Sequence, residues 1–323
     1  MDHANPQVET LVWADARCAD LVGQVLGRMK QAHVLAVGGP RKAQVAELAG
    51  SHDAPLEDDL RKMLIERPAA YLLLATAAGV APGDLAQARA AATVVLAIEP
   101  PAFAAEVSPT HSGGPPALIA TPWLRMSRTW LSAADPQQAL GELRSMQMTA
   151  VGPPGAGSLL ARLYDALEAV IHLLGPPETI DASLTGAAGS SATAAEDLRT
   201  LSGSLTAHLR FANDRAAVLH VADRAAMWRR HMLVIGSDGV LDWSDAAYRL
   251  TGPTGAEVDQ TPPAHDQTDP IDLIVRQWQR LIDGSVAPAS VDARTILACC
   301  QAAALSCRTG QLESPGTFLR MTA

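Results

Sequence analysis

On one predicted helix Arg162, Tyr164, Asp165 and Glu168 form a polar face. Such a face can line a modified pocket or hold salt bridges and caps. Structural roles weigh more, since ion-pair networks perturb pKa values without any catalysis. The nine histidines are scattered. His208 and His220 fall on neighbouring predicted strands, but no carboxylate stands at a spacing that would complete a metal site. His172 lies on the same packed helix and reads as a core or boundary residue. Four cysteines, Cys18, Cys299, Cys300 and Cys307, lack metal-ligand spacing. Cys299 and Cys300 are adjacent and point in two directions on a helix, so they are not a redox pair. They read as buried thiols of a reducing compartment. No Ser-His-Asp arrangement can be argued.

The elements that must position these groups divide into two patterns. Val8–Trp13, His33–Val37, Ala70–Thr76 and Thr93–Ile98 are short apolar runs. Between them lie helical patterns at Cys18–Met29, Arg41–Ala49 (closed by Gly50), Leu56–Ile65 and Asp84–Ala91. Strands apolar on both faces and separated by helices indicate a parallel sheet covered on both sides, a doubly wound Rossmann-like unit. After the loop Thr110–Pro116 the pattern changes. A strand at Leu143–Val151 leads through Gly152–Gly157 into a long helix at Ser158–Leu174. Strands follow at Ile180–Leu184, Leu205–Phe211, Ala217–Ala222, His231–Gly236 and Gly239–Trp243. They predict a mostly antiparallel open sheet with one helical face. Ala187–Ala195 and Pro262–Pro270 read as loops, and Asp272–Leu281 and Asp292–Ser306 as helices. Trp123, Trp130, Trp228, Trp243 and Trp278 read as core or interface anchors. The fold class is therefore α/β, with domains at 1–122 and 123–323.

Composition narrows the function classes. The chain has 323 residues, 48% apolar and 18% charged, a globular balance. A net charge of −9 leaves no basic stripe and argues against a nucleic-acid partner. The most apolar stretch, Ala69–Ala81, is too short to span a bilayer. The N-terminal MDHANPQVET carries no basic start followed by an apolar core, so a cytoplasmic chain is expected.

A Rossmann unit followed by a sheet domain resembles the glucose–fructose oxidoreductase / inositol dehydrogenase (Gfo/Idh/MocA) family over nearly the whole chain. Three segments carry the resemblance: Asp292–Gly310 (DARTILACCQAAALSCRTG), Ile235–Leu241 (IGSDGVL), and Leu167–Gly175 (LEAVIHLLG) followed by Pro177-Glu178. It implies an NAD(P)-dependent oxidoreductase acting on a sugar, an inositol or a related small molecule.

The family's four chemical features are each altered. Its Gly-x-Gly-x-x-Gly loop aligns with Ala14-Asp15-Ala16-Arg17-Cys18-Ala19, which puts alanine at every glycine position. A Cβ there intrudes on the pyrophosphate, and Asp15 sets a negative charge beside the anion site. Arg17 could offset that charge but reads first as a solvent-facing side chain. The ribose-reading acid after the second strand is replaced by Gly38-Gly39-Pro40. Arg41 and Lys42 follow; they could meet a 2′-phosphate, a bias toward NADP over NAD, though first-turn helix roles weigh more. By position in the family pattern, Thr76 and Glu99 complete the cofactor side. The Glu-Lys-Pro motif reads Glu99-Pro100-Pro101, and proline carries no proton or charge. The acid/base histidine of Asp-x-Gly-x-His aligns with Asp165.

Two expectations result. The first is a non-catalytic paralogue that keeps the scaffold for binding or structure, with NADP, NAD or no cofactor. Asp165→Asn then costs at most ~1 kcal/mol, the scale of a partly exposed ion pair. The second is an active NAD(P)-dependent oxidoreductase with Asp165 or Tyr164 in the acid/base role. Strand positions such as Leu209, Val218, Val234, Leu241 and Trp243 alternate with polar ones, but small and apolar residues occur on both sides of the second sheet, which predicts a homodimer or larger through it.

Overall fold

A computed structural model describes residues 7–102, 118–133, 136–186, 198–261, 269–284 and 291–321. The sequence-predicted loops at Thr110–Pro116 and Ala187–Ala195 and most of Pro262–Pro270 lie outside these residues. In chain order the first elements are β1 (Val8–Trp13), α1 (Ala19–Arg28), β2 (Ala32–Gly38), α2 (Ala46–Ser51), β3 (Leu56–Glu57), α3 (Leu60–Glu66), β4 (Tyr71–Leu74), α4 (Pro82–Ala90), β5 (Val94–Ala97) and β6 (Leu118–Ala120). Then come α5 (Arg128–Ser132), α6 (Pro136–Ala139), β7 (Leu143–Val151), α7 (Leu159–Leu174), β8 (Thr179–Gly186), β9 (Gly203–Arg210), β10 (Ala216–Ala222), β11 (Arg229–Gly236) and β12 (Val240–Ser244). The chain closes with β13 (Tyr248–Thr251), β14 (Glu257–Gln260), α8 (Pro270–Ile282), α9 (Ala293–Thr309) and α10 (Pro315–Met321).

The chain forms two compact units. The first holds a six-stranded sheet in the order β3-β2-β1-β4-β5-β6, and every pair in it is parallel. Leu11, Trp13, Leu72, Leu74, Val95 and Ala97 cover one of its faces and pack with Leu60, Met63 and Leu64 of α3. The apolar spacing read in the first helix is realised: Leu21, Val22, Val25 and Leu26 of α1 are all buried. Helix α8 also belongs to this unit, with Trp278 edge-on to Tyr71 of β4.

The second unit is an eight-stranded sheet in the order β14-β13-β12-β11-β7-β10-β9-β8. Its pairs are antiparallel except β7 with β10. Inward positions alternate with outward ones along β9 to β13, as a one-sided sheet requires, whereas the edge strand β14 has no buried residue. Met146, Met148, Leu219, Met232, Val234, Leu241 and Trp243 are buried. Helices α7 and α9 also belong to this unit, and Ser306 Oγ of α9 accepts the Ala182 N–H of β8 at 2.9 Å.

Local predictions fail where a short element interrupts a periodic run. Leu56–Ile65 is not one helix. Leu56 and Glu57 pair with Val37 and Gly38 as an edge strand, and the helix starts only after Asp59, whose carboxylate caps the Lys62 N–H. Gly50 is not a cap but lies inside α2, because the helix runs on to Ser51 and ends at His52. Arg41–Ala49 is a 3-10 turn at Lys42–Gln44 followed by α2. The strands β6, β13 and β14, of three or four residues each, were not separable from loop by pattern. Val218 faces the opposite side of the sheet from Leu209 and Val234, since it pairs with the exposed His208.

Candidate functional site

Two clusters of polar side chains occupy the positions the sequence pointed to, one in each unit. In the first unit β1 ends at Trp13, between Gly38 of β2 and Leu74 of β4. The chain then turns through Ala14–Cys18, with the Cys18 N–H on the Asp15 carbonyl at 3.2 Å, and enters α1. Asp15 is the centre of this turn. Its Oδ1 accepts the Arg17 backbone N–H at 2.9 Å, and its Oδ2 accepts Arg17 Nη2 at 2.9 Å and the Thr76 hydroxyl at 3.0 Å. Burial pushes the carboxyl up, but the Arg17 and Thr76 hydrogen bonds and the Arg17 charge outweigh it and hold Asp15 below the usual carboxylate range. Ala14 is fully buried, and Ala16 and Arg17 are exposed. Glu99 is buried at the end of the neighbouring strand, and its charge adds to burial in pushing the Cys18 thiol up to about 12.

Thus Ala14, Ala16, Arg17 and Thr76 meet around Asp15, with Glu99 near. Arg41 stands apart: it is exposed at the start of the 3-10 turn after β2, and among the described residues its side chain makes no hydrogen bond or ion pair. Trp13, whose role beyond a strand end the pattern did not show, packs between Gly38 and Gly79 beside this turn. Its Nε1 donates to the Ala78 carbonyl at 3.0 Å. A Cβ built on Gly38 would fall 2.7 Å from the Trp13 ring, and one on Gly39 would fall 2.1 Å from the Ala14 carbonyl oxygen. Glycine at both positions therefore answers to close approach of β2 to β1 and its side chain.

In the second unit α7 carries the other cluster. Its polar residues Arg162, Tyr164, Asp165 and Glu168 are all buried. Asp165 Oδ2 receives Arg230 Nη1 at 3.0 Å, and its Oδ1 accepts the Leu124 N–H at 3.3 Å. Arg230 turns its other edge to Asp245, with Nε 2.9 Å and Nη2 2.6 Å from the carboxylate oxygens. Trp228 Nε1 also donates to Asp245, at 3.1 Å. Glu168 accepts Arg125 Nε at 3.0 Å. The Arg162 guanidinium lies over the Trp228 ring at 4.2 Å, and its Nη2 donates to the Ala156 carbonyl. Burial pushes the Asp165 carboxyl above its ordinary range against the pull of Arg230 and Arg162. Burial, with the Glu168 charge beside it, pushes Tyr164 well above the usual phenol.

Arg230 and Asp245 were missed, although a signal existed. Strand alternation puts Arg230 in register with the buried Met232 and Val234, and an arginine at an inward position needs a buried acid. Among the described residues no group of three His, Cys, Asp or Glu side chains is placed to hold a metal ion, and no helix is long and apolar enough to cross a membrane.

No known family profile and no curated protein matches the sequence. Solved structures do match in fold. An oxidoreductase from Agrobacterium radiobacter, in complex with NAD+, L-tartaric acid and magnesium, superposes with a TM-score of 0.65 at 13% identity, covering 96% of this chain and 99% of that one. Levoglucosan dehydrogenase, in complex with NADH and levoglucosan, gives 0.68 at 11% identity over 95% and 99%. GenD2 of gentamicin A biosynthesis, in complex with NAD, gives 0.66 at 17% identity over 97% of each chain.

Proposed function

We propose that this chain, which has the fold of the Gfo/Idh/MocA-type oxidoreductases, serves as a small-molecule-binding or structural paralogue rather than running the usual dehydrogenase chemistry. One observation carries the reading. At the position resembling the acid/base histidine stands Asp165, with both oxygens engaged by Arg230 and the Leu124 amide and its side chain 6% exposed. A general base must reach the proton it abstracts and hold a lone pair for it. Asp165 instead neutralises a buried arginine. Lysine is missing from the Glu99-Pro100-Pro101 segment, so no second proton carrier stands in sequence where the resemblance would put one.

The second reading, an NAD(P)-dependent oxidoreductase on a sugar, inositol or related molecule, has its own support. The neighbours named above are complexes with NAD or NADH, and their folds run over at least 95% of this chain. The raised Asp165 carboxyl also moves toward the range of a working base. In that case Tyr164 would sit beside the base, and Arg41 with Lys42 would favour a 2′-phosphate.

The test is turnover. The purified chain is incubated with NAD+ or NADP+ and a panel of sugars, inositols and sugar acids, and reduced nicotinamide is followed. No turnover is expected. Turnover that falls by ~100-fold or more in a folded Asp165→Asn variant, the scale of a lost general base, would establish the second reading.

Assembly rests on the outer face of the second sheet, where Val218, Leu233 and Ile235 are partly exposed among polar neighbours. Apolar surface of that kind is usually covered on a stable protein, and we propose a homodimer or larger through this face. Light scattering at micromolar concentration is expected to give at least twice the chain mass, and a monomer alone would count against it.

A further inference from the structure

We propose that the dinucleotide crevice of the first unit is closed by the chain's own residues: Asp15 takes the anion seat, and Trp13, with Pro40 and Gly79 drawn together, fills the adenosine side. The inference draws on the first unit alone, so its failure leaves the reading of Asp165 standing.

In a doubly wound sheet the ligand crevice opens outside the carboxyl ends of the strands, where the strand order reverses. Here that point lies between β1 and β4, on whose last residues Trp13 and Leu74 pair. A pyrophosphate would lie against the amides of the turn into α1, with its adenosine beside the end of β2.

The anion seat is already taken. A bound phosphate oxygen would accept backbone N–H and side-chain donors of the turn. Asp15 does that instead, taking the Arg17 amide, the Arg17 guanidinium and the Thr76 hydroxyl. Thr76 in turn accepts the Ala78 N–H at 3.2 Å, which ties the loop after β4 to the same carboxylate. A phosphate brought to this turn would meet a fixed negative charge, and its donors would first have to be released. The Cβ atoms of Ala14, Ala16 and Ala19 add bulk where glycine permits close approach.

The adenosine side is closed by packing. The Trp13 ring reaches from Gly38 to Gly79: a Cβ on Gly38 would lie 2.7 Å from it and one on Gly79 3.4 Å. That Gly79 Cβ would also lie 3.5 Å from Pro40 Cβ, so the loops after β2 and β4 meet. The Trp13–Ala78 hydrogen bond holds the second loop down on the ring. Where a ribose-reading acid would stand after β2, Gly39 instead lets the chain press on the Ala14 carbonyl.

The test uses the full chain and reads binding, not activity. NADH and NADPH are titrated by nicotinamide fluorescence and calorimetry into the wild type, Asp15→Asn, Asp15→Gly and the double variant Asp15→Gly, Trp13→Leu, each checked for folding by circular dichroism. The wild type is expected to show no saturation up to roughly 1 mM, and Asp15→Gly to bind at least ~10-fold more tightly, a change read directly in Kd. Asp15→Asn keeps the side chain's size and is expected to fall between the two. Saturation of the wild type at micromolar nucleotide overturns the proposal. A folded double variant that still binds neither nucleotide overturns it as well, since the named groups would not be what excludes the ligand. A further arm needs no variant: inorganic pyrophosphate is expected to leave the wild-type melting temperature unchanged, and a rise with increasing pyrophosphate would overturn the closed anion seat.

Discussion

Arg230→Ala is expected to destabilise the second unit by about 3–5 kcal/mol, the usual result of removing one partner of a buried ion pair. Arg230 is 2% exposed and holds two carboxylates, Asp165 at 3.0 Å and Asp245 at 2.6 Å. Its loss removes the guanidinium bonded to both; Asp245 keeps the Trp228 Nε1 donor, and Asp165 keeps the Leu124 amide and the nearby Arg162 charge. Asp165→Asn is milder, because Asp245 still neutralises Arg230. It is expected to lower stability by about 1–3 kcal/mol, the range for a buried polar group that loses a partner. That exceeds the ~1 kcal/mol expected of a partly exposed ion pair, because the Asp165 side chain is only 6% exposed. Urea unfolding read at an unchanged slope gives both numbers. A shift below about 1 kcal/mol for Arg230→Ala would show the network to be dispensable.

Trp243→Ala is expected to cost about 3–5 kcal/mol, as large-to-small aromatic substitutions in a core do. Trp243 is fully buried on the inner face of the second sheet, opposite Met232 on one side and Tyr248 on the other, with Trp130 edge-on at 6.3 Å. Its indole nitrogen is buried, and among the described residues no hydrogen-bond acceptor reaches it. An unsatisfied donor is a penalty that a phenyl ring does not carry. Trp243→Phe is therefore expected to recover most of the loss despite its smaller volume. Equal destabilisation by Phe and Ala, measured by the same unfolding curves, would mean that the indole's full shape or a hidden acceptor matters.

Much of the architecture was legible because it is written in periodicity. Leu72, Leu73 and Leu74 are apolar without alternation, as a strand covered on both faces must be, and Leu205, Ala207 and Leu209 alternate with polar residues, as a one-sided strand must. The two-residue strand Leu56–Glu57 was not legible, since its pairing with Val37 and Gly38 depends on a chain segment far away. The sites were legible in a different way. The resemblance sets Ala14, Ala16 and Ala19 against the family's glycines and Asp165 against its histidine from the string of residues alone. What Asp15 and Asp165 do there is not, because their partners Thr76 and Arg230 lie 61 and 65 residues on. The glycines at 38 and 39 read only as a strand stop; their need for close approach appears once Trp13 and Ala14 are set beside them.

The position of α8 has a consequence for how the chain is made. Trp278 is fully buried against Tyr71, and the Gln277 amide bonds the Ala120 carbonyl at 3.0 Å, so α8 covers Tyr71 of β4 and holds the end of β6. Between β6 and α8 the ribosome must add about 150 residues, among them the whole second sheet, which takes roughly 8–30 s at ordinary elongation rates. During that interval the nascent first unit presents Tyr71 and the end of β6 without their partners from α8, the kind of surface that chaperones bind. Truncation before Pro270 would make that temporary state permanent.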